Sequence, residues 1–317
     1  MIKISPAISD FLSHCRIEKN LSQKTIKAYQ NDLLQLTSFL VTERHSGELA
    51  SISKIEIRSY LDTMKNLKPK TVKRKIASLK AFFNYHEFEE NIVVTPFRKM
   101  RINIKEPKEL PAVMNIQEMT KIFNVVYKER DSFKNPMSYA YAEALRNVTV
   151  IELLFTTGAR VSEIANLTAQ AINLESGTIN IKGKGNKERI IQVCNAESIN
   201  IIQQYFELNK AMIEKEGYFL INRFNKKLSD QSIRNMVRSA AESAGISRRI
   251  TPHAFRHSFA TLLLEKDVDI KYIQAMLGHS TITTTQIYTH VNKQKQREIL
   301  QTKHPRQDIA IEDTNKG

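Results

Sequence analysis

Thr251-Pro252-His253-Ala254-Phe255-Arg256-His257-Ser258-Phe259-Ala260 is the stretch on which the fold turns. Proline at a first helical position gives up an N–H that has no intrahelical partner, so Thr251-Pro252 marks a helix start. Spacing of three puts His253 and Arg256 on one face of the opening turn, where the helix dipole favours an anion such as phosphate. The chain on either side is mostly helical. Further helices are expected to start near Ala196, Ser229 and Asp269, with short ones near Ile282 and Lys293. Ala140 to Thr157 reads as a long helix stopped by Gly158, and Asn115 with Glu118 can cap another running to about Lys128. Only Thr178–Lys182 and Glu188–Val193 alternate with period two, around Gly183-Lys184-Gly185-Asn186-Lys187, which predicts a β-hairpin with a basic, glycine-rich tip.

The first hundred residues carry no strand pattern. Ser5-Pro6 suits an N-cap followed by proline, with Ile8, Phe11, Leu12 and Cys15 on one face. Ser22 can cap a helix striped by Ile26, Tyr29, Leu33, Leu36 and Leu40. Ser53 and Glu56 have capping-box spacing, and Pro69 opens a helix striped by Val72, Ile76, Leu79 and Phe83. Residues 1–100 are therefore expected to form a compact helical domain. Residues 101–113, with two prolines and mixed charge, read as an extended linker, and 114–317 as a second domain. The expected class is mainly α with a small antiparallel β-sheet.

Composition agrees. Gly 9 and Pro 8 make 17 of 317 residues, too few for an all-β chain built on Gly/Pro turns. No run of about 18 apolar residues exists and the opening residues lack a secretory core, which excludes a membrane span and predicts a cytoplasmic location. Cys15 and Cys194 form no CxxC pair, so neither a disulfide framework nor a cysteine zinc site has a basis. A net charge of +15 fits a polyanionic partner, nucleic acid first among them. Lys70, Lys73, Arg74, Lys75 and Lys80 crowd the fourth helix, forming either a solvated face or a face that grips phosphates.

The second half gathers Arg160 after a helix stop, Lys184 at the hairpin tip, His253 and Arg256, His279 after Gly278, and Tyr288. Each alone is more often surface charge, turn or packing. Together they describe one task. Two guanidiniums can hold the non-bridging oxygens of a phosphoryl transition state without a metal. A tyrosine needs a base or a positive field to attack, which the histidines and arginines supply, and Lys184 is suited to protonate a leaving alkoxide. Zinc fits poorly: His253 and His257 have i, i+4 spacing, but an arginine stands where a metalloprotease helix has its glutamate. No GxxxxGK[ST] or GxGxxG motif occurs, and no acidic cluster resembles a two-metal nuclease.

Thr157-Gly158-Ala159-Arg160-Val161-Ser162-Glu163, Gly183 to Arg189, Thr251 to Ala260, and Leu277-Gly278-His279-Ser280-Thr281 followed by Tyr288-Thr289-His290 resemble, in order and separation, the motifs of the tyrosine recombinases, or phage-integrase-like enzymes. His304-Pro305-Arg306 looks like the ending of Xer-type members. The resemblance implies an N-terminal helical, SAM-like core-binding domain and a mostly helical catalytic domain that together clamp duplex DNA. Arg160 and Arg256 would bind the scissile phosphate, His253 and His279 would assist proton transfer, Lys184 would protonate the 5′-oxygen, and Tyr288 would form a 3′-phosphotyrosyl link. Glu163 would support the site without doing chemistry. Neither metal nor nucleotide cofactor is implied, because ester exchange conserves the bond energy.

The implied function is site-specific recombination by a tetramer on two DNA sites, of this chain alone or with a second recombinase. Xer-like dimer resolution and the movement of a mobile element both fit, and the long Tyr127–Arg146 stretch keeps the second open. A topoisomerase-like nicking activity and a non-catalytic DNA-binding protein are the other readings. The tail after Tyr288 is too short to stand alone. It must dock, commonly on a neighbouring subunit in this family, with its own catalytic domain as the alternative.

Overall fold

In the computed structural model, residues 2–105, 113–183, 188–278 and 293–311 are described, and the chain divides into two units, Met1–Glu109 and Leu110–Gly317. The described α-helices of the first unit are α1 (Ile4–Ile17), α2 (Gln23–Thr42), α3 (Lys54–Asp62) and α4 (Pro69–Phe88). Ser22 caps α2 by accepting from the Thr25 N–H at 3.3 Å, Ser53 and Glu56 close a capping box on α3, and Pro69 opens α4. The start of α1 departs from expectation, because Ser5-Pro6 lies inside the first turn and Lys3 holds the N-cap position with no side-chain cap. Backbone does the capping there. Ile4 N–H donates to the Gly47 carbonyl at 2.9 Å and Leu49 N–H to the Ile2 carbonyl at 2.9 Å, so a short bridge satisfies the leading donor.

Leu33, Leu36 and Leu40 of α2 and Leu79 and Phe83 of α4 bury their stripes with Phe11 of α1 in one core. Ile102 and Ile104 lie against the same core, so the first residues of the segment read as a linker pack on this unit.

The second unit is organised around α6 (Tyr139–Thr157). From Val148 to Thr157 every residue is buried, as in a helix surrounded by others. Helix α5 (Ile116–Asp131), closed by an Asn115–Glu118 capping box, packs along it. After Gly158 come the single-turn α7 (Val161–Ala165) and the sheet β1 (Ile172–Asn173), β2 (Thr178–Lys182) and β3 (Glu188–Gln192), antiparallel in that order. The expected hairpin thus gains a short third strand. Its register sets Ile179 opposite Ile191 and Ile181 opposite Arg189. Helices α8 (Ala196–Glu216), α9 (Asp230–Ser243), α10 (Pro252–Glu265), α11 (Ile270–Leu277) and α12 (Lys293–Lys303) follow. The short helix expected near Ile282 lies outside the described residues. Among those described, no helix is long and apolar enough to cross a membrane.

The tail docks on its own domain. Ile299, Leu300 and Ile309 are buried in the second core, and His304 Nε2 lies 3.1 Å from the Thr156 carbonyl. Arg306, 1% exposed, meets Glu152 of α6 at 2.7 Å and Glu197 of α8 at 2.8 Å. In the single chain, therefore, the intramolecular alternative is the one realised.

Candidate active site

The site starts where α6 ends. Gly158 adopts φ +57°, and a Cβ there would lie 2.6 Å from Phe259 and 2.9 Å from Leu277. Glycine is thus required twice, for its left-handed backbone and for the closeness of α10 and α11. The close approach lets Arg256 reach across: Nη1 donates to the Gly158 carbonyl at 2.9 Å and Nη2 to the Leu277 carbonyl at 2.6 Å. Arg256 is 5% exposed, and among the described residues no carboxylate lies within ion-pair distance of it. Burial first, then the charge of Arg160, pushes its pKa down to about 10. A buried guanidinium held, among the described residues, by carbonyl oxygens and set beside like charges has the chemistry to take an anion.

Arg160, two residues past Gly158, sits at the N-cap position of α7 and is partly exposed. Glu163, one turn on, holds it by two contacts: the Arg160 N–H donates to Oε2 at 2.8 Å and Nη1 to Oε1 at 2.8 Å. Glu163 is itself buried, which would raise its pKa. Hydrogen bonding and charge from Arg189, then from Arg160, outweigh burial and keep the carboxyl below its ordinary range. Glu163 is therefore held as an ion against Arg160 and Arg189.

His253, in the first turn of α10, is exposed where Arg256 is buried, so their shared face runs from solvent into the interior. Its ring lies 6.4 Å from that of His257. Desolvation, then the charges of His257, Arg256, Arg234 and Arg160, lower its pKa. A neutral imidazole beside two guanidiniums can accept a proton. Lys184, His279 and Tyr288 lie outside the described residues. Among those described, no cluster of His, Cys, Asp or Glu could hold a metal ion.

The basic residues of α4 do not act as one face. Lys70, Lys73, Arg74 and Lys80 are exposed, but Lys75 is buried and turned inward. Asp32 of α2 draws it there: Lys75 Nζ lies 3.3 Å from Oδ1, while Arg74 and Ser78 also donate to that carboxylate. The expectation that Lys75 belongs to a solvated or phosphate-gripping face is corrected accordingly. A buried carboxylate needs cations around it, and two of these basic residues serve that need.

Sequence reasoning assigned no role to Arg189. Nη2 donates to Glu163 Oε2 at 2.7 Å and Nε to the Met276 carbonyl at 2.7 Å. One signal was available. Arg189 shares strand parity with the inward-facing Ile191, and a cation on a core-facing position demands a buried partner.

The chain resembles known proteins over nearly its whole length. Residues 131–295 match the Phage integrase family and residues 8–90 the Phage integrase, N-terminal SAM-like domain. A tyrosine recombinase of Agathobacter rectalis is 44% identical over 310 residues, covering 98% of this chain and 99% of that one. Tyrosine recombinase XerD of Listeria innocua is 33% identical over 308 residues, covering 94% and 98%. The crystal structure of XerH site-specific recombinase bound to palindromic difH substrate, a post-cleavage complex, superimposes with a TM-score of 0.68 at 26% identity, covering 92% of this chain and 83% of that one. The arginines gathered where α6, α7 and α10 meet thus sit in a chain that belongs to the phage integrase family, as a tyrosine-type site-specific DNA recombinase.

Proposed function

We propose that this recombinase cuts and rejoins duplex DNA through a 3′-phosphotyrosyl intermediate on Tyr288, and that its task is Xer-like resolution of DNA dimers in the cytoplasm. The observation that carries the chemistry is Arg256: a buried cation that spends two of its N–H donors on carbonyls and keeps an anion-seeking environment. A guanidinium has five such donors, enough to serve a phosphate as well. Arg160 and Arg256 would together neutralise the non-bridging oxygens, doing the work a metal performs elsewhere. The Tyr288 oxygen attacks phosphorus and passes its proton to a neutral histidine, His253 or His279. The 5′-oxygen leaves with a proton from Lys184. Resealing runs the same steps backwards with a 5′-hydroxyl from the partner duplex, so bond energy is conserved and neither nucleotide nor metal is consumed.

Reciprocal exchange between two duplexes cuts four strands, and each chain brings one such tyrosine. Four copies on two sites are therefore required, of this chain alone or shared with a second recombinase. Lys70, Lys73 and Lys80, which are exposed, would contact duplex phosphates. The dimer-resolution reading is supported by the relatives named XerD, which match nearly end to end. Sequencing DNA fragments covalently trapped on the protein in cells tests both levels. Recovery of one recurring chromosomal or plasmid site supports resolution, whereas recovery of the junctions of a mobile element overturns it in favour of integration. Equal trapping by Tyr288→Phe removes Tyr288 as the nucleophile.

A further inference from the structure

Arg189 lies on β3, five residues after the hairpin lysine, with its side chain running under the site and away from solvent. It grips two different elements. Its Nη2 is on the Glu163 carboxylate of α7 at 2.7 Å, and its Nε is on the Met276 carbonyl in the last turn of α11 at 2.7 Å. The next carbonyl along, Leu277, is held by Arg256. Two guanidiniums therefore clamp consecutive carbonyls at the end of α11, and one of them also reaches Glu163. Gly278 makes room for this: at φ +64°, a Cβ on it would lie 3.2 Å from Arg189 Nη1 and 3.3 Å from its Cδ.

Glu163 depends on Arg189. Its Oε2 accepts from both the Arg160 N–H and Arg189, while Oε1 accepts from the Arg160 guanidinium. Without Arg189 the carboxylate would be buried with Arg160 as its remaining cation in hydrogen-bond contact, and the pull on the Arg160 guanidinium would change direction. We propose that Arg189 is a positioning residue of the phosphate site: by tying Glu163 to the end of α11 it fixes where Arg160 and Arg256 present their charges. It does not touch the phosphate itself. Lysine cannot replace it, because one ammonium on a flexible stem does not span the carboxylate and the carbonyl with fixed, divergent donors.

This inference rests on the reading that Arg160 and Arg256 hold the scissile phosphate, and its test separates the two. The probe is a duplex carrying the cleavage site recovered by trapping, nicked beside the scissile phosphate so that cleavage becomes irreversible. Full-length Arg189→Met and Arg189→Lys are expected to bind it within about threefold of the unaltered protein. Both are expected to form the covalent complex on the order of 10²-fold more slowly, the cost of misplacing a catalytic group by about an ångström. The distinguishing readout is a methylphosphonate at the scissile position, which carries no charge for the arginines to neutralise. The deficit of both variants, and of Arg160→Ala, should shrink at least tenfold there. An equal deficit on both backbones, or cleavage within threefold of the unaltered protein on ordinary DNA, overturns the proposal.

If the unaltered protein fails to cut, the functional reading falls instead. A crystal structure of full-length Arg189→Met then decides the positioning claim by itself. Displacement of the Arg160 guanidinium from Glu163 supports it, and an unchanged Arg160, Glu163 and α11 end overturns it.

Discussion

Replacing Arg306 with methionine tests what holds the tail. The guanidinium is buried, gives Nη2 to Glu152 Oε1 at 2.7 Å and Nε to Oε2 at 3.1 Å, and lies 4.7 Å from the Phe123 ring centroid. Methionine is long and flexible enough to keep much of that packing, so the change isolates the charge. Glu152 would keep the Tyr127 hydroxyl at 2.5 Å and Ser198 Oγ at 2.7 Å, but no counter-ion in a fully buried position. Removing one member of a buried pair costs about 3–5 kcal/mol, because the other is left uncompensated. Tail release offers the chain an escape, since it readmits water to Glu152.

The expected result is a tail that opens more often, by on the order of 10²–10⁴-fold for that energy, read as faster tryptic cleavage after Arg297 and Lys303. Far-UV circular dichroism should report a folded protein throughout. Glu152→Met should cost less than Arg306→Met, because Arg306 retains Glu197, which is 41% exposed and reaches it at 2.8 Å. The double variant Glu152→Met/Arg306→Met should cost less than the sum of the single ones, since no unpaired charge remains. An Arg306→Met loss below about 1 kcal/mol, or a double variant no better than additive, would refute the claim that this ion pair anchors the tail.

Gly158→Ala should destabilise the second unit by on the order of 2–4 kcal/mol, combining left-handed backbone strain with the collision at Phe259, and should reduce covalent complex formation more than DNA binding; near-normal thermal stability would contradict the close approach. Cleavage should fall as pH drops through the lowered pKa of His253, since only the neutral ring accepts a proton, and His253→Gln should abolish that acid limb; an unchanged limb assigns it to another group. His304, held near pKa about 4 by complete burial, should destabilise the docked tail in acid. The unfolded state takes up a proton near pH 6.5 and the folded state only near 4, so up to about 3 kcal/mol is lost as pH falls across that window; tryptic release of the tail that does not change with pH there would exclude it. Lys184→Ala should slow cleavage of ordinary DNA but far less that of a 5′-bridging phosphorothiolate, whose sulfur leaves without a proton; equal impairment removes Lys184 from the acid role.

Much of the fold was legible because it rests on local rules. Ser22, Ser53 and Asn115 cap helices where their side chains suggested, and helices begin at Ser229 and Asp269 where a start was expected, since a cap is decided within four residues. The Ser5-Pro6 start failed for the complementary reason: the group that satisfies the Ile4 N–H is the carbonyl of Gly47, 43 residues away. Lys75 failed likewise. Nothing within its own helix shows that Asp32 is buried across from it and draws its ammonium inward. The same limit hid Arg189, whose partners lie 26 residues back and 87 residues ahead.

The Arg189 pairings have a cause that bears on how the enzyme would work. A phosphate site needs several cations close together, and in a protein interior they repel one another unless something fixed balances part of their charge without cancelling it. Among the described residues Glu163 is shared between Arg160 and Arg189, while Arg256 is held by neutral carbonyls. One carboxylate among three guanidiniums leaves the cluster short of negative charge. The missing charge is what a scissile phosphodiester would bring, and more so its pentacoordinate transition state, which carries additional charge on the same oxygens. On the proposed reading, neutralising the cluster further, for instance by a second carboxylate against Arg256, would stabilise the free protein and cost it catalysis, which would make the residual imbalance part of the proposed mechanism.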